Sequence, residues 1–96
     1  MARSRKSAFG HLVGKSFGAV LKEYRTKAHV SVQKLATESE VDRKYIYQIE
    51  SGRSVPTLEV ILRLTHALSL DCTEIVARTQ LFVRKASRHG GPRRLT

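Results

Sequence analysis

The chain has 96 residues, 41% hydrophobic and 27% charged, the make-up of one ordinary globular domain, which excludes disorder along most of its length. No apolar run approaches the roughly 20 residues that span a bilayer. The one cysteine, Cys72, cannot form an internal disulfide, so the expected setting is cytoplasmic and reducing, away from membranes. The formal net charge of +10 is unevenly placed: residues 1–31 hold seven basic side chains and one acidic, residues 32–83 six and seven, and residues 84–96 five and none. Basic ends on a near-neutral body suit a polyanion, with nucleic acid the first candidate.

Residues 1–15 read as a basic arm with room for some helix. Apolar spacing reaches back through Phe9, Leu12 and Val13. Against a robust helix there stand Gly10, Gly14 and Gly18, each costing about 1 kcal/mol relative to alanine. Their GxxxGxxxG spacing reads as flexibility. Phe17, Val20, Leu21, Tyr24 and Ala28 recur at three- and four-residue steps and predict a first helix over 16–28. Ser31 caps a short second helix over 32–39, with Leu35 and Ala36 inward. Asp42 caps a third over 43–51, which stops at Gly52. Thr57 caps a fourth, with Leu58, Ile61, Leu62, Thr65 and Leu68 on one face. Asp71 and Glu74 have capping-box spacing and open a fifth over 72–88. Residues 89–96, with Gly90-Gly91-Pro92, form a flexible basic tail. No stretch alternates with period two long enough for a convincing strand, so the fold class is all-α.

At 100° per residue, Arg43, Lys44, Tyr47, Gln48 and Ser51 fall on one arc of the third helix, and Tyr45, Ile46 and Ile49 on another. The apolar arc is expected to pack inward and the polar arc to face out. Arginine reads guanine bidentately, glutamine reads adenine, and lysine takes guanine or phosphate.

The run FGAVLKEYRTKAHVSVQKLATESEVDRKYIYQIESGRSVPTLEVILRLTHALSL resembles the phage-repressor-like (XRE-type) helix-turn-helix family, which includes the lambda and 434 repressors, Cro and restriction–modification controller proteins. The resemblance rests on several pieces in order: the arginine of helix 1, S-x-x-x-L-A, V-x-x-x-x-I-x-x-I-E-x-G and P-T-L-x-x-I-x-x-L. It implies a compact five-helix DNA-binding domain over 16–76, with the helix-turn-helix at helices 2 and 3. The fifth helix continues beyond that domain over 77–88. The family's base-reading positions fall on Arg43, Lys44 and Gln48, with Asp42 and Tyr47 flanking. Its phosphate contacts fall on Gln33, Ser51 and Arg53. Its helix 1–helix 3 ion pair falls on Arg25 and Glu50, a structural role. Two positions depart from the pattern: Val32 stands where glutamine is usual at the start of helix 2, and Glu40 where glycine is usual in the turn. Glu40 is therefore expected in a left-handed conformation.

The resemblance implies a sequence-specific transcriptional regulator, bacterial or phage, of repressor or controller type. Such a protein binds a palindromic double-stranded operator as a homodimer, one helix 3 in each of two major grooves about 34 Å apart. On the fifth helix, Phe82 and Val83 are expected to be left open and, with Thr79 on the same face, to form the dimer contact, unless that helix folds back over helix 1. The alternative is an antitoxin-like module that binds a protein partner as well as its own promoter. His11, His29, His66 and His89 lack metal-ligand spacing, no nucleophile sits in a catalytic arrangement, and neither cofactor nor enzymatic activity is implied.

Overall fold

The computed structural model describes residues 7–87. Among them five helices follow in order: α1 (Ala8–Lys27), α2 (Val32–Ser39), α3 (Arg43–Glu50), α4 (Leu58–Ala67) and α5 (Cys72–Ser87). Small polar side chains start them by taking up backbone N–H groups that have no partner within the helix. The N–H of Lys34 donates to Ser31 Oγ at 3.0 Å, that of Lys44 to Asp42 Oδ1 at 3.0 Å, and that of Val60 to Thr57 Oγ1 at 3.2 Å.

The first four helices stop on residues in the left-handed region: His29 (φ 59°), Glu40 (φ 60°), Gly52 (φ 83°) and Ser69 (φ 58°). Three of these ends share one hydrogen-bond pattern. The N–H of Val30 reaches Arg25 O at 3.1 Å, that of Arg53 reaches Gln48 O at 2.9 Å, and that of Leu70 reaches Thr65 O at 2.8 Å, each closing a helix C-terminus. At α2 the expected departure is present: Glu40 carries a side chain through a conformation that costs about 1–2 kcal/mol for a residue with a Cβ. Its N–H donates to Ala36 O at 2.9 Å and holds the tight turn into α3.

The core draws on every helix: Phe17, Val20 and Leu21 from α1, Val32 and Leu35 from α2, Ile46 and Ile49 from α3, Leu64 from α4 and Ile75 from α5, with Val41 from the turn. Each such side chain contributes about 1.5–3 kcal/mol by leaving water. α1 packs against both α3 and α5, while α2 packs against α3 and α4.

Four expectations need correction. α1 begins at Ala8 instead of near residue 16, capped by Ser7, whose Oγ accepts from the Gly10 N–H at 3.0 Å. Gly14 and Gly18 are buried within that helix and serve close approach, not flexibility. A Cβ on Gly18 would lie 2.2 Å from the Ile49 carbonyl oxygen and 2.9 Å from that of Glu50. On α4 the buried stripe runs through Leu64 and Thr65, whereas Leu58 (66% exposed) and Leu62 (47%) face out. On α5 the stripe expected to be open is turned inward. Ile75 and Thr79 are buried, Thr79 Oγ1 donating to Ile75 O at 2.8 Å. Phe82 packs on the core and Val83 is half-buried. The fifth helix thus folds back along α1, whose Leu12 and Val13 are half-buried while Phe9 remains exposed. The basic arm and tail carrying Arg3, Arg5, Lys6, Arg93 and Arg94 lie outside the described residues.

Candidate nucleic-acid interface

α3 presents the two arcs expected of it. Ile46 and Ile49 are fully buried, and Tyr45 is half-buried. Arg43, Lys44, Tyr47 and Ser51 are exposed, and Gln48 is half-buried beside them. The helix is only eight residues long and too short to hold itself in water, so its neighbours must fix its direction.

Two contacts do so. At its C-terminal end Glu50 accepts two bonds from one guanidinium, from Arg25 Nε at 2.7 Å and from Arg25 Nη2 at 3.0 Å. Arg25 Nη1 also donates to Val30 O at 2.8 Å, which ties the pair to the loop before α2. Both side chains are largely buried, at 12% and 7% exposure. The hydrogen bond to Glu50 raises the Arg25 pKa above its ordinary value, so the guanidinium stays charged. The second contact is the close approach of α1 to the end of α3 at Gly18.

The other sequence-predicted residues fall on the same side of the helix-turn-helix or beside its exit. Val32, in the place usual for glutamine, is buried, and Gln33 one position on is exposed. Gln33 Oε1 accepts from Arg43 Nη1 at 2.9 Å, joining an expected phosphate contact to an expected base contact across the turn. Asp42, expected to flank the reading residues, spends its carboxylate on the α3 N-terminus. Ser51 Oγ donates to Gln48 O at 3.0 Å and accepts from Arg53 Nε at 3.3 Å, so these two residues form one small polar group after α3.

Sequence reasoning missed three supports. Arg63 bonds Glu59 at 3.0 Å and reaches the Ser39 carbonyl and Glu40 at 3.5 Å, linking α4 to the turn. Arg78 pairs with Glu23 at 3.1 Å and sits 5.5 Å from the centre of the Phe82 ring. Tyr24 donates to Glu74 Oε2 at 3.2 Å, and burial is the main reason its hydroxyl pKa is raised, with the Glu74 carboxylate adding to it. Only the Glu59–Arg63 spacing of four residues is a sequence signal; the contacts of Arg63 with the turn, of Arg78 with Glu23 and of Tyr24 with Glu74 join positions far apart in the chain.

A family described as a helix-turn-helix domain matches residues 16–77. The ImmF control region 10 kDa protein of Bacillus phage phi105 is 32% identical over 60 residues, covering 62% of this chain and 67% of that one. A putative HTH-type transcriptional regulatory protein of Methanococcus maripaludis is 42% identical over 53 residues, 55% of this chain but 16% of that protein's length. Among solved structures, the restriction-modification controller protein C.AhdI of Aeromonas hydrophila superposes with a TM-score of 0.63 at 35% identity, over 65% of this chain and 94% of that one. The clp gene regulator ClgR of Corynebacterium glutamicum superposes with a TM-score of 0.72 over 81% of this chain and 84% of that one, at 23% identity, a likeness of fold. The chain belongs to the helix-turn-helix domain family, in its phage-repressor-like group. Its relatives include phage and archaeal proteins, so membership does not narrow the source to bacteria.

Proposed function

We propose that the protein is a transcriptional regulator that binds a palindromic operator as a homodimer and reads it with α3. The observation that carries this is the outward arc of Arg43, Lys44, Tyr47 and Gln48 on a helix whose Ile46 and Ile49 are fully buried and whose end is locked by the Arg25–Glu50 pair. A solvated helix face needs no such anchoring. Arg43 and Gln48 supply the bidentate donors and acceptors that distinguish guanine and adenine in the major groove. Lys44 adds charge, and Tyr47, at 54% exposure, offers an apolar surface to a thymine methyl. Gln33, Ser51 and Arg53 hold the phosphates on either side and set the register.

Selection of bound sequences from a random DNA pool tests this reading. The expected result is an enriched two-fold consensus with half-sites about 10 base pairs apart, one helical turn. Recovery of no consensus at all contradicts it.

The two-fold contact falls to another surface than the α5 stripe. Thr79 is buried in the single chain and Phe82 is half-buried against its core, so neither offers a fully open face to a partner. Leu58 and Leu62, one turn apart on α4, instead open onto a shallow hollow of about 850 Å³ that Leu70 and Cys72 also line. Glu59 and Arg63, paired with each other at 3.0 Å, give these leucines a polar border. Leu62→Glu is expected to leave the fold intact and yield a monomer by sedimentation, whereas Phe82→Glu is expected to lower thermal stability first. Dimerisation of Leu62→Glu with parental affinity excludes the α4 face.

A further inference from the structure

The first two turns of α1, residues 8–15, precede the stretch matched by the family model, yet they are regular helix, and Gly14 and Lys15 at their end meet the loop that leaves α3. Gly14 and Gly52 bring the two backbones together. A Cβ on Gly14 would lie 3.1 Å from the Gly52 carbonyl oxygen. A Cβ on Gly52 would lie 3.0 Å from Lys15 Cγ and 3.2 Å from Lys15 Cα. Lys15 therefore rests on the residue between Ser51 and Arg53. Its side chain is exposed, and no acid lies within ion-pair distance of it among the described residues. By helical spacing Lys22 continues the same strip of α1, also exposed. Glu23 and Glu50 are committed elsewhere, to Arg78 and to Arg25. A basic side chain left without an acid, seated on a backbone segment whose neighbours are a serine hydroxyl and an arginine, suits an anion bound alongside them.

We infer that this N-terminal extension of α1 widens the DNA-contacting surface, with Lys15 binding a backbone phosphate of the duplex next to the one held at Ser51 and Arg53. The inference rests on the DNA-binding reading above and adds to it a contact outside the family-matched residues. Lysine approaches phosphate as a point charge on a flexible stem, so the contact carries affinity and no base preference. It also gives Gly14 and Gly52 a second consequence. By letting α1 lie against the loop, they bring the ammonium to the place where the phosphates pass.

The test is binding against salt concentration for the full chain and for Lys15→Gln, on selected operator and on random duplex DNA. Lys27→Gln removes the same charge twelve residues further along α1, about 120° round the helix from Lys15, and serves as the control. Glutamine keeps the helix propensity of lysine, and thermal unfolding should be unchanged in both variants. The expected result for Lys15→Gln is a salt slope smaller in magnitude by about 0.9, the loss of one phosphate contact. Affinity should fall by the same factor on both DNAs, with the ratio between them kept, and Lys15→Arg should restore the parental slope. A slope for Lys15→Gln equal to that of the parent, or of Lys27→Gln, overturns the phosphate contact while leaving base reading by α3 in place. A parent that itself shows no preference for any duplex sequence overturns the underlying reading, and this inference with it.

Discussion

Replacing Glu50 with alanine should destabilise the protein by about 3–5 kcal/mol, because it strands a guanidinium that is only 12% exposed. Arg25→Ala should do comparable damage by leaving the 7% exposed carboxylate with no cation. The pair is bidentate, at 2.7 and 3.0 Å, and Arg25 also donates to Val30 O at 2.8 Å, so losing either partner releases more than one hydrogen bond. Removing both side chains should cost less than the two single changes together, since the coupling between them is lost only once. Chemical denaturation of the two single variants and the double variant measures this. Additive unfolding energies would mean that the pair contributes nothing as a pair. Burying a charged pair gains little stability over a well-packed apolar one, so its worth lies in direction: it joins α1 to the C-terminal end of the helix that carries the reading residues.

Gly18→Ala should be nearly as damaging, at about 3 kcal/mol, although in an isolated helix the same change is stabilising by about 1 kcal/mol. The added Cβ would lie 2.2 Å from the Ile49 carbonyl oxygen and 2.9 Å from that of Glu50. Both obstacles are backbone, so no rotamer change relieves the clash, and α1 must move away from α3. That movement also pulls Arg25 from Glu50, two turns further along the same helix. Thermal unfolding of Gly18→Ala beside Gly10→Ala separates the effects, because Gly10 lies near the helix start and is outside the buried set of α1. Gly10→Ala should stabilise or leave the protein unchanged. A Gly18→Ala variant as stable as the parent would show that α1 and α3 have room between them.

Features set by local chemistry were legible in the sequence. The caps Ser31, Asp42 and Thr57 lie where short polar side chains precede apolar periodicity, and Gly52 ends α3 where a left-handed residue is needed. The left-handed Glu40 was legible as a departure from a pattern that has glycine there. The two arcs of α3 follow from helical spacing alone. What escaped depends on partners distant in sequence. The glycines of α1 look like weak points until the carbonyls of Ile49 and Glu50 are seen against them. α4 has leucines on more than one side, and spacing cannot tell that Leu64 is buried while Leu58 and Leu62 are not. The apolar stripe of α5 shows in its spacing, but whether it meets α1 or a second chain is decided by packing, and much of it lies against α1. The Gln33–Arg43 bond has no sequence signature, because it depends on how the turn places two polar side chains that neither helix requires to meet.

The central claim is that α3 reads base identity, and it is tested most directly by repeating the random-pool selection with Gln48→Ala and Arg43→Ala beside the parent. Each lost bidentate contact is worth about 1–3 kcal/mol of discrimination at one base pair. Gln48→Ala should therefore return the parental consensus with one position per half-site relaxed, and affinity for random DNA nearly unchanged. Arg43→Ala should relax a different position and, because it also removes a charge, weaken random binding as well. If both variants return the parental consensus unaltered at every position, α3 is not the reading helix.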